Sequence, residues 1–484
     1  MLKSIQANHL IIFVVLKFKK VTLIKSISGI RGTIGGNPGE GLSPLDIVKF
    51  TSAYAVWLKE NNREANELTV LIGRDARISG DMVTKIVSGT LMGMGIHVID
   101  AGLSTTPTVE IGVTELKAHG GIILTASHNP KQWNALKLLN NKGEFISEED
   151  GKRILVLAED QSFVYNEVNQ LGSYKENNDL LQRHIEMILS LPYVDVEAIK
   201  EKNFSIVVDP VNSTGATAVP ALLKALGVNS IHVINEEVNG NFAHNPEPLP
   251  EHLTDLSNTI IKQKAHLGIS VDPDVDRLAL VCEDGEMFGE EYTLVAVADY
   301  VLQLKNGNTV SNLSSTRALR DVTEAKGAKY SASAVGEVNV VRMMKETNAV
   351  IGGEGNGGII LPELHYGRDA LVGIAIFLTH LAKFGKSVSM LRKTYPSYFI
   401  SKNKIELTPT INVDKILEDI KLKYKKQPIN SVDGVKIEFE NEWVHLRKSN
   451  TEPIIRIYSE SESMTTADNL AKKIINDIKE LIKN

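Results

Sequence analysis

The sequence predicts an α/β protein: three successive mixed α/β units followed by a smaller C-terminal α+β domain. Three observations carry that prediction. The chain has 484 residues, too many for one hydrophobic core, since cores stop growing at roughly 250–300 residues and domains average about 150. Short β-branched runs at 68–72, 121–125, 205–209, 265–271 and 349–352, each followed by a Gly- or Pro-marked turn and a longer amphipathic stretch, recur through most of the chain. That alternation is the signature of strands and helices in α/β layers. From Pro396 the rhythm changes.

The elements follow in order. The apolar run 10–16 is too short to span a bilayer, which needs roughly 20 residues. Lys17, Lys19 and Lys20 follow it with no small-residue cleavage site, so it is a poor signal peptide. Residues 1–20 read as a start-site extension or a disordered segment, with Val21 as the true initiator. Residues 21–165 form the first unit, 166–288 the second and 289–393 the third. Residues 394–484 read as an extended segment, a Lys-rich helix over 413–426, strands near 434–439, 443–447 and 454–460, and an amphipathic helix over 466–483. That order suggests antiparallel strands backed by helices. No short sequence repeat relates the first three units.

Composition narrows the function classes. An apolar fraction of 43% and a charged fraction of 23% are ordinary for a globular protein. A net charge of −6 supplies no global basic field for nucleic acid or an anionic membrane, so anion binding must be built by specific loops. The single cysteine, Cys282, excludes an internal disulfide and fits a reducing, cytoplasmic setting. It lies in an apolar run, 278–282, and packs as a buried residue.

Ligand sites of open α/β sheets gather where strands run out into loops, and several such loops carry chemistry. The strand 121–124 delivers Ser127 to the turn Thr125-Ala126-Ser127-His128-Asn129-Pro130. A hydroxyl at a strand end is how a nucleophile or phosphoryl carrier reaches a cleft, although Ser and Asn also make plain turns. His128 is a catalytic candidate as its neighbour. Asp272-Pro273-Asp274-Val275-Asp276-Arg277 follows an apolar strand. Three carboxylates at alternate positions would repel one another on a strand face. A hard cation relieves that repulsion, and an all-oxygen ligand set suits Mg²⁺; Arg277 can offset residual charge or clamp a phosphate.

Gly352-Gly353-Glu354-Gly355-Asn356-Gly357-Gly358 lets backbone approach a ligand closely, with Glu354 and Asn356 suited to hydroxyl groups. Arg447-Lys448-Ser449-Asn450-Thr451-Glu452-Pro453 and Arg456 combine guanidiniums with neutral donors, as phosphate recognition requires. Arg31 lies between glycines in Ser28-Gly29-Ile30-Arg31-Gly32, and Lys137 follows Ser127 by ten residues.

In this order the loops resemble those of the α-D-phosphohexomutase family across residues 21–484, and within it the chain is most similar to the bacterial phosphoglucosamine mutases. The resemblance implies three similar α/β domains and a fourth arranged around a central cleft. It implies a phosphorylated Ser127 that gives its phosphoryl group to a hexose phosphate, a sugar 1,6-bisphosphate that reorients and also activates the enzyme, and interconversion of hexose 6- and 1-phosphates, glucosamine phosphates first among them. Mg²⁺ would be held by Asp272, Asp274, Asp276 and a Ser127 phosphate oxygen. Arg31 and Lys137 would be the electrostatic and proton-transfer partners. Arg277, Glu354, Asn356, Gly336 and Glu337 would bind substrate. Arg447, Ser449, Asn450, Thr451 and Arg456 would hold the phosphate that is not reacting. The partner would be a small hexose phosphate, with no nucleic acid and no membrane, acting on a monomer or homodimer. Ala135, Asn356 and Gly358 depart from the commoner pattern, where glycine, serine and histidine respectively are frequent. Glucose or mannose phosphates are the alternative substrates with the same mechanism. A sugar phosphatase and a non-catalytic sugar-phosphate sensor are the remaining ones.

Overall fold

The computed structural model describes residues 21–26, 29–407, 411–448 and 454–483. The expected class holds, and the repetition is more exact than the sequence suggests. The first sheet has seven strands, the second and third four each. In each, three parallel strands and one antiparallel strand come in the spatial order second, first, third, fourth. In the first sheet these are Leu68–Arg74, Ile96–Leu103, Gly120–Leu124 and Trp133–Leu139. In the second they are Ser205–Asp209, Ser230–Val233, Leu267–Val271 and Leu278–Cys282. In the third they are Asn308–Asn312, Tyr330–Ser333, Ala349–Glu354 and Gly358–Ile360. The first sheet adds Tyr174–Glu176 at one edge and Gly29–Thr33 with Ile24–Ser26 at the other.

One consequence positions the chemistry. The third-to-fourth-strand hairpin carries Ser127 in the first sheet, the aspartate triplet in the second and the glycine-rich loop in the third. All three candidate loops are therefore the same topological element, which explains their spacing along the chain. No short sequence repeat betrays this, because a 2-1-3-4 sheet asks only for buried apolar strands and turns, which many residues satisfy.

The apolar cores do not follow the units one to one. The first unit and the C-terminal domain have cores of their own, whereas one large cluster runs through the second and third units, each of which adds a smaller cluster on its other face. The shared element is the helix Ala370–Phe384, buried over nearly its whole length. Asp369 caps it, accepting from the backbone N–H of Leu371 and Val372, and Gly385 ends it with a left-handed φ of 73°, the conformation glycine adopts most cheaply. Although this helix is apolar all round, no helix among the described residues is long and apolar enough to cross a membrane.

The C-terminal domain is a five-stranded antiparallel sheet in the order Phe399–Glu406, Ile454–Ser461, Trp443–Lys448, Val435–Glu438 and Ile429–Asn430, backed by helices Val413–Lys423 and Met464–Lys483. Buried polar contacts dock it on the third unit. Glu460 accepts from the Arg317 backbone N–H at 3.1 Å and from Trp443 Nε1 at 2.6 Å. Lys436 donates to the Leu313 carbonyl at 2.9 Å, and Val335 N–H donates to Asp433 at 3.0 Å.

Candidate active site

The serine loop is set by a buried ion pair that sequence reasoning missed. Ser127 adopts a left-handed φ of 50°, uncommon outside glycine, and its N–H donates to Thr125 Oγ1 at 2.9 Å. Arg77, 1% exposed, donates to the Pro130, Trp133 and Asn129 carbonyls at 2.8, 3.0 and 2.7 Å and also to that of Ser127. Its Nε pairs with Asp75 at 3.0 Å, and Asp75 also accepts from Thr125 Oγ1 at 2.7 Å. One guanidinium thus fixes the whole turn. The available signal was positional: Asp75 and Arg77 directly follow the C-terminal end of the first parallel strand, where such folds gather their sites.

The aspartate loop meets that turn. Val275, a β-branched residue at φ 62°, folds the triplet into a tight turn closed by its N–H on the Asp272 carbonyl at 3.1 Å. The strand-like alternation considered from sequence is therefore replaced by a turn, and all three carboxylates converge, fully buried. Each spends at least one oxygen on the protein. Asp272 Oδ1 accepts from the N–H of Asp276 and Arg277, both at 3.1 Å. Asp274 Oδ2 accepts from Thr106 Oγ1 at 2.6 Å and Lys137 Nζ at 2.7 Å. Asp276 Oδ2 accepts from Arg368 at 2.8 Å and Lys137 at 3.3 Å. Of the other oxygens, Asp272 Oδ2 accepts from Ser127 Oγ at 2.8 Å, and Asp274 Oδ1 and Asp276 Oδ1 are buried with no hydrogen-bond partner among the described residues, Arg277 Nε lying 4.0 Å from Asp276 Oδ1. Buried carboxylate oxygens without donors are costly, and a hard cation satisfies them. The residues present therefore fit Mg²⁺, with the Ser127 oxygen at the same place.

Electrostatics follow from this crowding. Burial, then Asp276 and Asp274, raises Asp272 well above the usual carboxylate range. Burial would raise Asp276 too, but Arg368, Lys137 and Arg277 hold it low. Burial works against the Lys137 ammonium, yet Asp274 and Asp276 keep it raised and charged. His128 lies with Nδ1 3.3 Å from Ser127 Oγ; burial and then Arg277 push its imidazole down to about 2. It stands beside the serine as a neutral ring. Burial and then the Arg277 charge lower Arg31, on the strand Gly29–Thr33, and the Nε of each is buried with no hydrogen-bond partner among the described residues, Arg277 Nε lying 3.9 Å from Asp272 Oδ2. Two guanidiniums whose charges act on one another, each with an Nε–H left over, invite an anion. Arg277 also pairs with Glu247 at 3.2 Å.

The glycine-rich loop lies beyond the aspartates. Glu354 accepts from Asn312 Nδ2 at 2.9 Å and the Gly336 N–H at 3.1 Å through Oε1, and from Arg368 at 3.0 Å through Oε2. Asn356 Oδ1 accepts from the Gly358 N–H at 3.2 Å. Glu337, which the family resemblance assigns to substrate, gives both oxygens to Arg368, accepting from its backbone N–H at 2.9 Å and its Nε at 3.0 Å. Arg447 and Arg456 face each other across adjacent strands, a like-charge pairing that costs stability unless an anion joins it, and Arg447 pairs with Asp433 at 2.8 Å. Ser449, Asn450 and Thr451 lie outside the described residues. Contacts run without a break from Ser127 through Asp272, Asp276, Arg368, Glu354 and the Gly336 N–H to Val335, Asp433 and Arg447. All four units thus take part in one connected site.

Comparison with known proteins matches four consecutive models of one family. They are "Phosphoglucomutase/phosphomannomutase, alpha/beta/alpha domain I" over residues 23–164, domain II over 182–285, domain III over 289–398, and the C-terminal domain over 409–477. A Thermococcus kodakarensis protein named phosphoglucomutase/phosphomannomutase is 35% identical over 93% of this chain and 99% of its own length. A phosphoglucosamine/phosphogalactosamine mutase of Sulfurisphaera tokodaii is 31% identical over 94% of this chain and 98% of that one. A crystal structure of a phosphoglucomutase/phosphomannomutase family protein from Burkholderia thailandensis shares the fold, with TM-score 0.80 at 22% identity, covering 95% of this chain and 98% of that one. On these matches, which take in all four units in order, the chain belongs to the phosphoglucomutase/phosphomannomutase family.

Proposed function

We propose that the protein interconverts glucosamine 6-phosphate and glucosamine 1-phosphate, with Ser127 as the phosphoryl carrier and a hexose 1,6-bisphosphate as intermediate and activator. The observation that carries this is the Ser127 hydroxyl on Asp272 Oδ2, beside two buried carboxylate oxygens that accept no hydrogen bond among the described residues. In the first half-reaction the bond from phosphorus to Ser127 Oγ breaks and one to a sugar oxygen forms; in the second the bond from phosphorus to the other sugar oxygen breaks and one to Ser127 Oγ forms. The proton moves opposite to the phosphoryl group, from the attacking sugar hydroxyl to Ser127 Oγ in the first half and from Ser127 Oγ to the departing sugar oxygen in the second. The Lys137 ammonium, bonded to Asp274 and Asp276, gives a proton to the departing oxygen and takes its replacement from the attacking hydroxyl. Mg²⁺ held by Asp272, Asp274, Asp276 and a phosphoserine oxygen would supply charge stabilisation to the moving phosphoryl group. Arg31 and Arg277 offer it their unsatisfied N–H groups. Glu354 and Asn356 take sugar hydroxyls, while Arg447 and Arg456, with Ser449, Asn450 and Thr451, keep the second phosphate as the sugar turns round. Keeping that phosphate is what separates a mutase from a phosphatase. The working units are 21–165, 166–288, 289–393 and 394–484, in a cytoplasmic monomer or homodimer.

A second reading is favoured by the relative named phosphoglucomutase/phosphomannomutase: the same chemistry on glucose or mannose phosphates. Rates measured side by side on glucosamine 6-phosphate, glucose 1-phosphate and mannose 1-phosphate decide between them. The amino sugar is expected to be fastest; a large preference for either of the others would transfer the assignment to it.

A further inference from the structure

Arg368 lies between the strand Gly358–Ile360 and the helix Ala370–Phe384, and its side chain is only 9% exposed. Its three guanidinium nitrogens go to three carboxylates from three separate segments: Nε to Glu337 at the start of the helix Glu337–Thr347 at 3.0 Å, Nη1 to Glu354 at the end of the strand Ala349–Glu354 at 3.0 Å and Nη2 to Asp276 in the aspartate loop at 2.8 Å. Only a planar guanidinium has donors in a fixed fork that can serve three directions at once; an ammonium is a point charge. Glu337 grips Arg368 a second time through the backbone N–H, so the fork cannot swing. A side chain at Gly358 would strike Arg368 Cδ. The glycine that departs from the commoner family pattern is what admits this arginine.

The donors decide which acceptor atoms remain. Asp276 has two donors on Oδ2 and none on Oδ1, so one oxygen is left for a cation. Glu354 has two donors on Oε1 and one on Oε2, which leaves one free direction for a hydroxyl. We propose that Arg368 is a positioning residue that orients Asp276 of the aspartate loop and Glu354 of the glycine-rich loop with one guanidinium, so that divalent-cation binding and sugar binding are set together. Its sugar half rests on the mutase reading above; its cation half does not.

The test is Arg368→Lys, which keeps the charge and removes the fork, with Glu337→Gln as a second variant that loosens the fork without touching either loop. Mg²⁺ alone is titrated calorimetrically into unphosphorylated protein, and KM and kcat are measured separately for the hexose phosphate. Arg368→Lys is expected to weaken Mg²⁺ binding about tenfold, as loss of a group supporting a metal ligand does. KM should rise about tenfold, roughly 1.4 kcal/mol, with kcat changed less. Glu337→Gln should move both constants in the same direction by smaller factors. A folded Arg368→Lys protein with either constant unchanged would overturn the proposal. Absence of Mg²⁺ binding by the unaltered protein would overturn the cation site itself, a different result.

Discussion

Ser127→Ala is expected to lower turnover by a factor on the order of 10⁴–10⁶, the loss seen when a covalent nucleophile is removed from a site whose parts act as a unit. The fold should survive. The substitution removes only the Oγ, whose contacts are with Asp272 and His128, and alanine keeps the backbone N–H that donates to Thr125. Initial rates with and without added hexose 1,6-bisphosphate, beside a thermal melt, check both statements. Because the bisphosphate needs a serine oxygen to receive its phosphoryl group, it should not rescue the variant. Turnover within tenfold of the unaltered protein would remove Ser127 from the mechanism.

Arg77→Met is expected to be damaging in another way. It leaves Asp75, fully buried, without its counter-charge, and releases the carbonyls of the serine turn. Breaking a buried pair from one side costs about 3–5 kcal/mol. A serine displaced by even about 1 Å costs on the order of 10² in rate. Melting temperature and kcat should therefore both fall, unlike for Ser127→Ala. The double variant Arg77→Met with Asp75→Asn should recover part of the stability, since the orphaned charge is gone, but little of the rate, since the turn is still unclamped. Equal melting temperatures for the single and double variants would mean that the ion pair does not hold the loop.

These two residues also mark how far the sequence could be read. The serine loop, the aspartate triplet and the glycine-rich loop were legible because each concentrates unusual chemistry in a few consecutive positions. Their meeting could not be read from the residues themselves, since Ser127 and Asp272 are 145 residues apart, and was implied only by the family resemblance. Arg77 and Arg368 were invisible for the same physical reason. A lone arginine in sequence resembles any solvated surface cation, and what makes each one structural is partners 50 and 92 residues away. Glu337 shows the opposite case: its position beside Gly336 was legible, while the arginine that takes both its oxygens was not. The threefold 2-1-3-4 order was hidden because sheet topology constrains burial and turns rather than residue identity. In the tail, strands were legible from their alternation, whereas the helix beginning at Val413 ends at Lys423, three residues short of the expected end, because basic residues continue past the last buried turn.

The central claim is that Ser127 carries the phosphoryl group between two positions of one sugar. The most direct measurement is peptide mapping after incubation with Mg²⁺ and hexose 1,6-bisphosphate labelled in both phosphates. The account predicts about one phosphate per chain on the peptide containing Ser127, and its return to the sugar when unlabelled hexose 6-phosphate is added. Active protein with no label on that peptide, or label that leaves only as inorganic phosphate, would contradict it.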